Sequence, residues 1–271
     1  MCRWLAYKGN PVYLDELLFK PEHSLIDQSL SATRSKFTTN GDGFGVGWYT
    51  RQCAPGLYKS VRPAWNDANL RDLAHHIESP VFVAHVRATT GTAVQRTNCH
   101  PFRHGRWLFV HNGQIRGFDR IKRELAMAVD PALYPAIMGS TDSELLFFLA
   151  LSFGLESDAI IALEQAMGLV EKAGADAGIA DVLDSTIGIT NGEKVYAVRY
   201  STTSEPPSLY LSRSMHAITQ IHQNAPEFSE HARVVVSEPL GHMSEVWDPI
   251  PPATAITISD GEIRQRPFNP E

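Results

Sequence analysis

The first third of the chain alternates short apolar runs with Gly, Pro and Asn, a pattern that favours strands joined by loops. The clearest strand prediction is 81–87, Val-Phe-Val-Ala-His-Val-Arg, which is rich in β-branched residues. A glycine-rich strand is predicted at 44–49, and a short apolar one at 107–110. Because Asn-Gly follows at 112–113, the third strand is expected to end there in a tight turn with positive φ.

Longer periodic stretches predict helices over 69–77, 118–128, 142–153 and 157–172. The third helix follows Ser140 and Thr141, which supply good N-cap chemistry. After residue 180 the pattern returns to strands, predicted at 185–190, 194–200, 208–211, 233–237 and 253–258, with Asn191-Gly192 closing a hairpin between the first two. Strands, then helices, then strands favour an α+β or layered α/β fold, and no boundary interrupts a single domain over 1–271.

The composition is that of a soluble globular protein, with 43% hydrophobic and 20% charged residues in 271. The net charge of −6 lacks the basic footprint of a nucleic-acid-binding protein. The longest apolar run, 145–151, is too short for a membrane helix, which needs ~18 residues. The first residues, with arginine at the third position, do not resemble a secretory signal, so we expect a cytoplasmic protein.

The three cysteines, Cys2, Cys53 and Cys99, are too few and too dispersed for a disulfide framework. A lone cysteine is usually buried filler, and we expect Cys53 and Cys99 to be structural or inert. Cys2 differs, since removal of Met1 before a small residue makes it the N-terminus. Its α-amine, of pKa ~7.7–8.0 against ~10.4 for lysine, then places a base on the residue that carries the thiol. The structural alternative is a cysteine buried in a first strand.

Four further segments carry candidate chemistry. Glycines at every second position of 41–47 leave one face of a strand bare, where another backbone or a ligand can approach. Arg87, at the end of an apolar strand, can bind a carboxylate with two donors. Asn112 and Gly113 offer a side-chain amide and a backbone N–H to an oxyanion, and Asp142 could hold a substrate ammonium. Their structural alternatives are a surface ion pair, a hairpin turn and a helix cap.

In this order the segments resemble the glutamine amidase domain of class II, N-terminal nucleophile, glutamine amidotransferases. The resemblance is carried by Met1-Cys2-Arg3, the 41–48 glycine strip, His85-x-Arg87, Asn98-Cys99-His100-Pro101-Phe102, His111-Asn112-Gly113 and Thr141-Asp142-Ser143-Glu144, with weaker similarity at Ser237-Glu238-Pro239-Leu240. It covers nearly the whole chain and is nearest to the stand-alone bacterial subgroup, whose members have no fused synthase.

The resemblance implies an N-terminal nucleophile hydrolase fold, a four-layer αββα sandwich of two antiparallel sheets between helices. It implies that Cys2 attacks the side-chain amide of glutamine with its own α-amine as base, through a γ-glutamyl thioester. Asn112 and the Gly113 N–H would form the oxyanion hole, while Arg87 binds the α-carboxylate and Asp142 the α-ammonium.

Three more residues are expected to shape the pocket: His100, and Thr89 or Thr90, whose register after Arg87 the sequence leaves open. The resemblance implies no cofactor and no metal. The expected partner is glutamine or another γ-glutamyl amide, and any ammonia-accepting synthase would be a separate protein.

Three alternatives stay open. The Met-Cys-Arg start and the Gln28-Ser29 region are also similar to the γ-glutamyl hydrolases of ergothioneine biosynthesis. A metal-dependent hydrolase could use Cys99, His100 and His104, although no ligand spacing supports it. A catalytically silent domain could retain the pocket and bind glutamine without turnover.

Overall fold

A computed structural model describes residues 2–31, 39–89, 91–213, 228–241 and 244–270. Met1 and Thr90 lie outside these residues. The strands are β1 (Arg3–Tyr13), β2 (Phe44–Trp48), β3 (Gly56–Ser60), β4 (Glu78–Val86), β5 (Phe102–His104), β6 (Trp107–Ile115), β7 (Leu183–Thr190), β8 (Val195–Ser201), β9 (Tyr210–Ser212), β10 (Arg233–Val236), β11 (Trp247–Pro249), β12 (Thr254–Ser259) and β13 (Glu262–Pro267). The helices are α1 (Asp15–Leu18), α2 (Leu25–Leu30), α3 (Ala68–His76), α4 (Phe118–Met127), α5 (Asp142–Ser152) and α6 (Ala159–Asp176).

The strands form two sheets in which the neighbouring strands pair antiparallel. The first sheet has the order β11-β9-β10-β1-β4-β2-β3, and the second has the order β13-β12-β8-β7-β6-β5. Apolar side chains from both sheets, among them Trp4, Val83, Leu108 and Val110, form a core between them. The sheets therefore stack face to face.

Helices cover the two outer faces. The first sheet turns Leu5, Tyr7 and Phe82 toward α1, α2 and α3, while the second packs Phe109 and Ile187 against α4, α5 and α6. This gives the expected four layers, αββα, of an N-terminal nucleophile hydrolase fold. Among the described helices, none is long and apolar enough to cross a membrane.

The bare face of the glycine strip is filled by backbone and by the opposite sheet. A Cβ on Gly45 would lie 2.3 Å from the His100 carbonyl oxygen, and one on Gly47 would lie 2.7 Å from a methyl of Leu108. Of the two occupants expected from the sequence, a backbone or a ligand, the structure therefore shows the backbone. Glycine at 45 lets the segment carrying His100 lie directly against β2.

The predicted turn at 112–113 is wrong. β6 continues to Ile115, and Gly113 pairs with Ser185 of β7 instead of adopting a positive φ. The hairpin predicted at Asn191-Gly192 is confirmed, since β7 and β8 pair as far as Thr190 and Val195. The element predictions also left out the long strand β1, which carries Arg3 and Trp4 in the centre of the first sheet.

Candidate active site

A cavity of about 420 Å³ opens where the start of β1, the end of β4, the end of β6 and the start of α5 meet. Six of the residues predicted from the sequence line it: Cys2, Arg87, Thr89, His100, Gly113 and Asp142. The wall is completed by residues to which the sequence analysis gave no role in the pocket: Ala88, Thr92, His111, Gln114, Thr141, Ser143, Asp184, Glu205, Pro206 and Pro207. The fold thus brings together residues as far apart in the chain as Cys2 and Pro207.

Cys2 lies at the entrance to β1, and its thiol is directed at the Ala88 carbonyl oxygen, 3.5 Å from Sγ. Trp4 and Ala6 point into the core between the sheets, so strand alternation turns Cys2 toward the same layer. Burial raises the pKa of the Cys2 thiol, outweighing the Ala88 contact and the Arg87 charge, which lower it. The thiol is therefore protonated at neutral pH and needs a base in order to attack.

Asn112 belongs to the same interlayer space. Leu108 and Val110, at alternate positions of β6, point into the core between the sheets. Asn112 is the next residue on the same face of the strand. The side chain is 2% exposed and its Oδ1 has no hydrogen-bond partner among the described residues. Asn112 is not itself part of the cavity wall, although both its neighbours in the chain are.

The backbone N–H of Gly113 points to the edge of β6 that faces away from β7. Successive N–H groups of a strand point to opposite sides. The Arg116 N–H donates to Val182 on the β7 side, whereas the Ile115 N–H donates away from β7, to Asp142 Oδ2 at 2.8 Å. Gly113, two residues before Ile115, therefore directs its N–H to the same edge, past the residues Trp107 to Phe109 that pair with β5.

Glycine is required at 113 because the strands approach closely there. A Cβ would lie 1.9 Å from the Asp184 carbonyl oxygen, closer than any real contact. The Asn112-Gly113 pair thus serves a close approach between β6 and β7, not a turn.

Arg87 is the buried cation of the cavity, at 3% exposure. Its guanidinium donates to neutral oxygens: Thr92 Oγ1 at 2.6 Å, Thr89 Oγ1 at 3.3 Å and the Asp42 carbonyl at 3.4 Å. Within the described residues no carboxylate lies in salt-bridge distance of it. Burying an uncompensated charge is costly, so this arrangement suits a ligand that supplies the negative charge.

Asp142 faces the cavity as the first residue of α5. Thr141 is the N-cap, since its hydroxyl accepts from the Glu144 N–H at 3.1 Å, so the N-cap chemistry predicted at Ser140 and Thr141 is confirmed and the cap is not Asp142. Asp142 Oδ1 accepts from the Ser143 N–H at 2.8 Å, and Oδ2 accepts from Ile115. The carboxylate is thereby held rigidly beside the β6 edge.

Three buried histidines, His85, His100 and His111, lie at the cavity, and two of them, His100 and His111, line it. His100 stacks on His85 with ring centroids 4.1 Å apart, and His85 Nε2 lies 3.1 Å from the His111 carbonyl oxygen. Burial lowers the pKa of all three, that of His85 to about 3, so the rings are neutral. His111 Nδ1 lies 2.8 Å from Ser143 Oγ, which ties β6 to α5. From the sequence, His111 was named only as part of the His111-Asn112-Gly113 motif. Its contact with Ser143 joins elements that are distant in the chain, so no local pattern indicates it.

The described residues contain no cluster of three His, Cys, Asp or Glu side chains able to hold a metal ion. The grouping of Cys99, His100 and His104 considered from the sequence is therefore not formed as a ligand set.

Comparison with known proteins places this geometry in a family. The family model for class II glutamine amidotransferases matches residues 21–270. A probable glutamine amidotransferase of Saccharomyces cerevisiae is 32% identical over 301 residues, covering 99% of this chain and 84% of the relative. A gamma-glutamyl-hercynylcysteine sulfoxide hydrolase of Mycolicibacterium smegmatis is 33% identical over 143 residues, covering 52% of this chain and 63% of the relative.

Solved structures show similarity to the same family. A glutamine aminotransferase class-II domain protein from Silicibacter pomeroyi superposes with a TM-score of 0.75 at 34% identity, covering 99% of this chain and all of that one. Glutamine phosphoribosylpyrophosphate amidotransferase from Bacillus subtilis, at 13% identity and a TM-score of 0.67, shares the fold over half its own length. The family model and the yeast relative together show that this chain belongs to the class II glutamine amidotransferases.

Proposed function

We propose that the chain is a glutamine amidohydrolase that cleaves the γ-amide of glutamine through a thioester on Cys2, with the α-amine exposed by removal of Met1 as base. One observation carries the proposal: the buried, uncompensated guanidinium of Arg87 shares a cavity with the Cys2 thiol and the Asp142 carboxylate. A cation, an anion and a nucleophile around one cavity complement the α-carboxylate, α-ammonium and side-chain amide of a γ-glutamyl compound.

Acylation begins with transfer of the thiol proton to the α-amine of Cys2. Sulfur then attacks the amide carbon, and the negative charge that develops on the amide oxygen is stabilised by the Asn112 side chain and the Gly113 N–H. When the intermediate collapses, the C–N bond breaks and the α-ammonium returns its proton to the departing ammonia. A γ-glutamyl thioester remains on Cys2.

Deacylation repeats the proton transfers with water. The α-amine accepts a proton from water, the hydroxide attacks the thioester carbon, and the C–S bond breaks as the proton returns to sulfur. The sum is glutamine plus water to glutamate plus ammonia. His100 and Thr89 shape the wall beside the thiol, and Thr90 is proposed only from its place next to Thr89.

The direct test is the mass of the intact protein before and after incubation with an electrophilic glutamine analogue. The proposal predicts a starting mass without methionine and the addition of one label, which Cys2→Ala abolishes. Loss of Met1 with no labelling and no ammonia release contradicts the proposal, and reversible analogue binding in that protein indicates the silent glutamine-binding alternative.

Asn112→Ala is expected to lower kcat by about 10²–10³-fold with little change in KM, because an oxyanion donor acts in the transition state. The measurement is steady-state ammonia release, with Asn112→Asp as the companion variant that keeps the side chain's size. Wild-type kcat in Asn112→Ala would exclude this residue from the oxyanion hole.

A second candidate is hydrolysis of a larger γ-glutamyl amide. It is favoured by a cavity of about 420 Å³, which lies within the range of sites for larger ligands, and by the likeness to the mycobacterial hydrolase. The same residues would act, with an amine other than ammonia as leaving group. Either activity is proposed for the cytoplasm, and any ammonia-consuming synthase would be a separate protein.

The two candidates differ in the leaving group that they prefer. If the chain is a glutaminase, we expect glutamine to show a higher kcat/KM than a γ-glutamyl dipeptide. If the natural substrate is a larger γ-glutamyl amide, we expect the dipeptide to show the higher kcat/KM. Rates for glutamine, γ-glutamylmethylamide and γ-glutamylalanine decide between them. An amide that lacks the α-carboxylate serves as the control. Both candidate functions predict that it is a poor substrate.

A further inference from the structure

A buried ion pair holds the main chain of Cys2. Arg3 Nε donates to Glu238 Oε2 at 2.8 Å, and Arg3 Nη1 donates to the Cys2 carbonyl oxygen at 3.0 Å. The two side chains are 2% and 1% exposed. One guanidinium therefore bridges the segment after β10 and the peptide group of the residue that bears the thiol.

The carboxylate end of this bridge is itself fixed. His23 Nε2 lies 2.7 Å from the second carboxylate oxygen of Glu238. The Gln28 amide donates to the carbonyls of His23, Glu238 and Pro239 at 3.1–3.2 Å. Contacts from His23 and Gln28 thus set where Glu238 lies, and through it Arg3.

Two hydrogen bonds to Ser237 also hold the main chain on the other side of Arg3, at Trp4. The Trp4 N–H donates to Ser237 Oγ at 3.1 Å, and the Ser237 N–H donates to the Trp4 carbonyl oxygen at 3.0 Å. The chain is therefore held on both sides of Arg3, at Cys2 by the guanidinium and at Trp4 by Ser237.

An N-terminal nucleophile needs such an anchor. Once Met1 is gone, Cys2 has a peptide bond on one side only, and chain ends lose order unless they are tied down. A misplacement of about 1 Å at a reacting group can cost about 10²-fold in rate. We propose that Arg3 and Glu238 are positioning residues that fix the Cys2 thiol for attack; this rests on the proposed function, in which Cys2 is the nucleophile.

The guanidinium fork explains why arginine stands at position 3. Its separate nitrogens reach the carboxylate and the carbonyl at once, whereas the single ammonium of lysine cannot hold both in the same geometry. Arg3→Lys and Glu238→Gln are expected to lower kcat at least about 10-fold while KM stays within about twofold, since Arg87 and Asp142 still bind substrate.

A matched control is available in an exposed ion pair of the same type. Arg213 Nε lies 2.7 Å from Asp248 Oδ1, with the side chains 59% and 51% exposed. Arg213→Lys and Asp248→Asn are expected to leave both kinetic constants unchanged, because exposed pairs contribute little.

The double variant Arg3→Lys/Glu238→Gln separates a shared role from two independent ones. If the pair acts as a unit, its kcat falls about as far as that of the more impaired single variant, not by the product of both losses. Counting active protein by the electrophilic label and following thermal unfolding keeps a loss of fold apart from a loss of rate.

Two outcomes overturn the inference: single variants whose kcat per folded molecule stays within about twofold of wild type, or a change confined to KM. The Cys2→Ala protein is assayed in parallel. If it retains activity, the proposed nucleophile is wrong, whereas an inactive Cys2→Ala beside fully active Arg3 and Glu238 variants removes only their positioning role.

Discussion

Cys2→Ala is expected to lower kcat for ammonia release by about 10⁴-fold or more, because covalent catalysis loses its nucleophile. Folding should be unaffected, since among the described residues the thiol makes one long hydrogen bond, of 3.5 Å, to the Ala88 carbonyl oxygen. Initial rates at saturating glutamine measure the effect, and thermal unfolding checks that the protein is intact. A Cys2→Ala protein with wild-type turnover would leave the reaction without its proposed first step.

The position of the base can be tested separately from the thiol. A non-removable N-terminal extension leaves Cys2 in the chain but converts its amine to an amide, and we expect activity to fall about as far as in Cys2→Ala. Cys53→Ser is the matched control, because Cys53 is an exposed, free thiol and should leave the rate unchanged. Full activity in the extended protein would mean that another group takes the thiol proton.

Much of the layered fold was accessible from the sequence because its outer helices and hairpins have local signals. β1 was not, for a physical reason. Leu5 and Tyr7 are buried against helices while Trp4 and Ala6 are buried between the sheets, so the strand shows no alternation of polar and apolar positions. The period of apolar residues alone cannot distinguish a strand that is buried on both faces from a buried helical segment.

The error at 112–113 has a different physical origin. Asn-Gly is a local signal for a turn, but here the glycine is needed because the Asp184 carbonyl lies where a Cβ would be. The close approach of β6 to β7 involves residues about 70 positions apart, which no local pattern contains. Tertiary packing therefore overrode a turn propensity that is strong in isolation.

For the site, the sequence suggested the chemistry of Arg87 and Asp142 but not the features that define their electrostatics. Residue type alone left Arg87 also compatible with a surface ion pair. Its burial, and the neutral oxygens of Thr89 and Thr92 around it, appear only after the strand end and the following loop are folded. What an arginine can bind depends on which charges are missing from its surroundings.

Arg87→Met is expected to raise KM for glutamine by about 10²-fold, the cost of removing one member of a buried charge pair, with a smaller change in kcat. Thermal stability should stay the same or rise, because the substitution removes a buried charge without a counter-ion. The threonine hydroxyls keep a partner, since Thr89 Oγ1 donates to the Thr92 carbonyl at 2.7 Å. Michaelis constants and unfolding temperatures are the measurements.

The decisive comparison uses 4-aminobutanamide, which is glutamine without its α-carboxylate. If Arg87 binds that carboxylate, wild type and Arg87→Met should process the truncated amide equally poorly, so the penalty of the substitution disappears with the group that it recognises. Arg103→Met, at an exposed arginine on β5, controls for loss of positive charge alone. An equal penalty with both substrates would show that Arg87 shapes the cavity without contacting the carboxylate, and would leave the buried cation unexplained by glutamine.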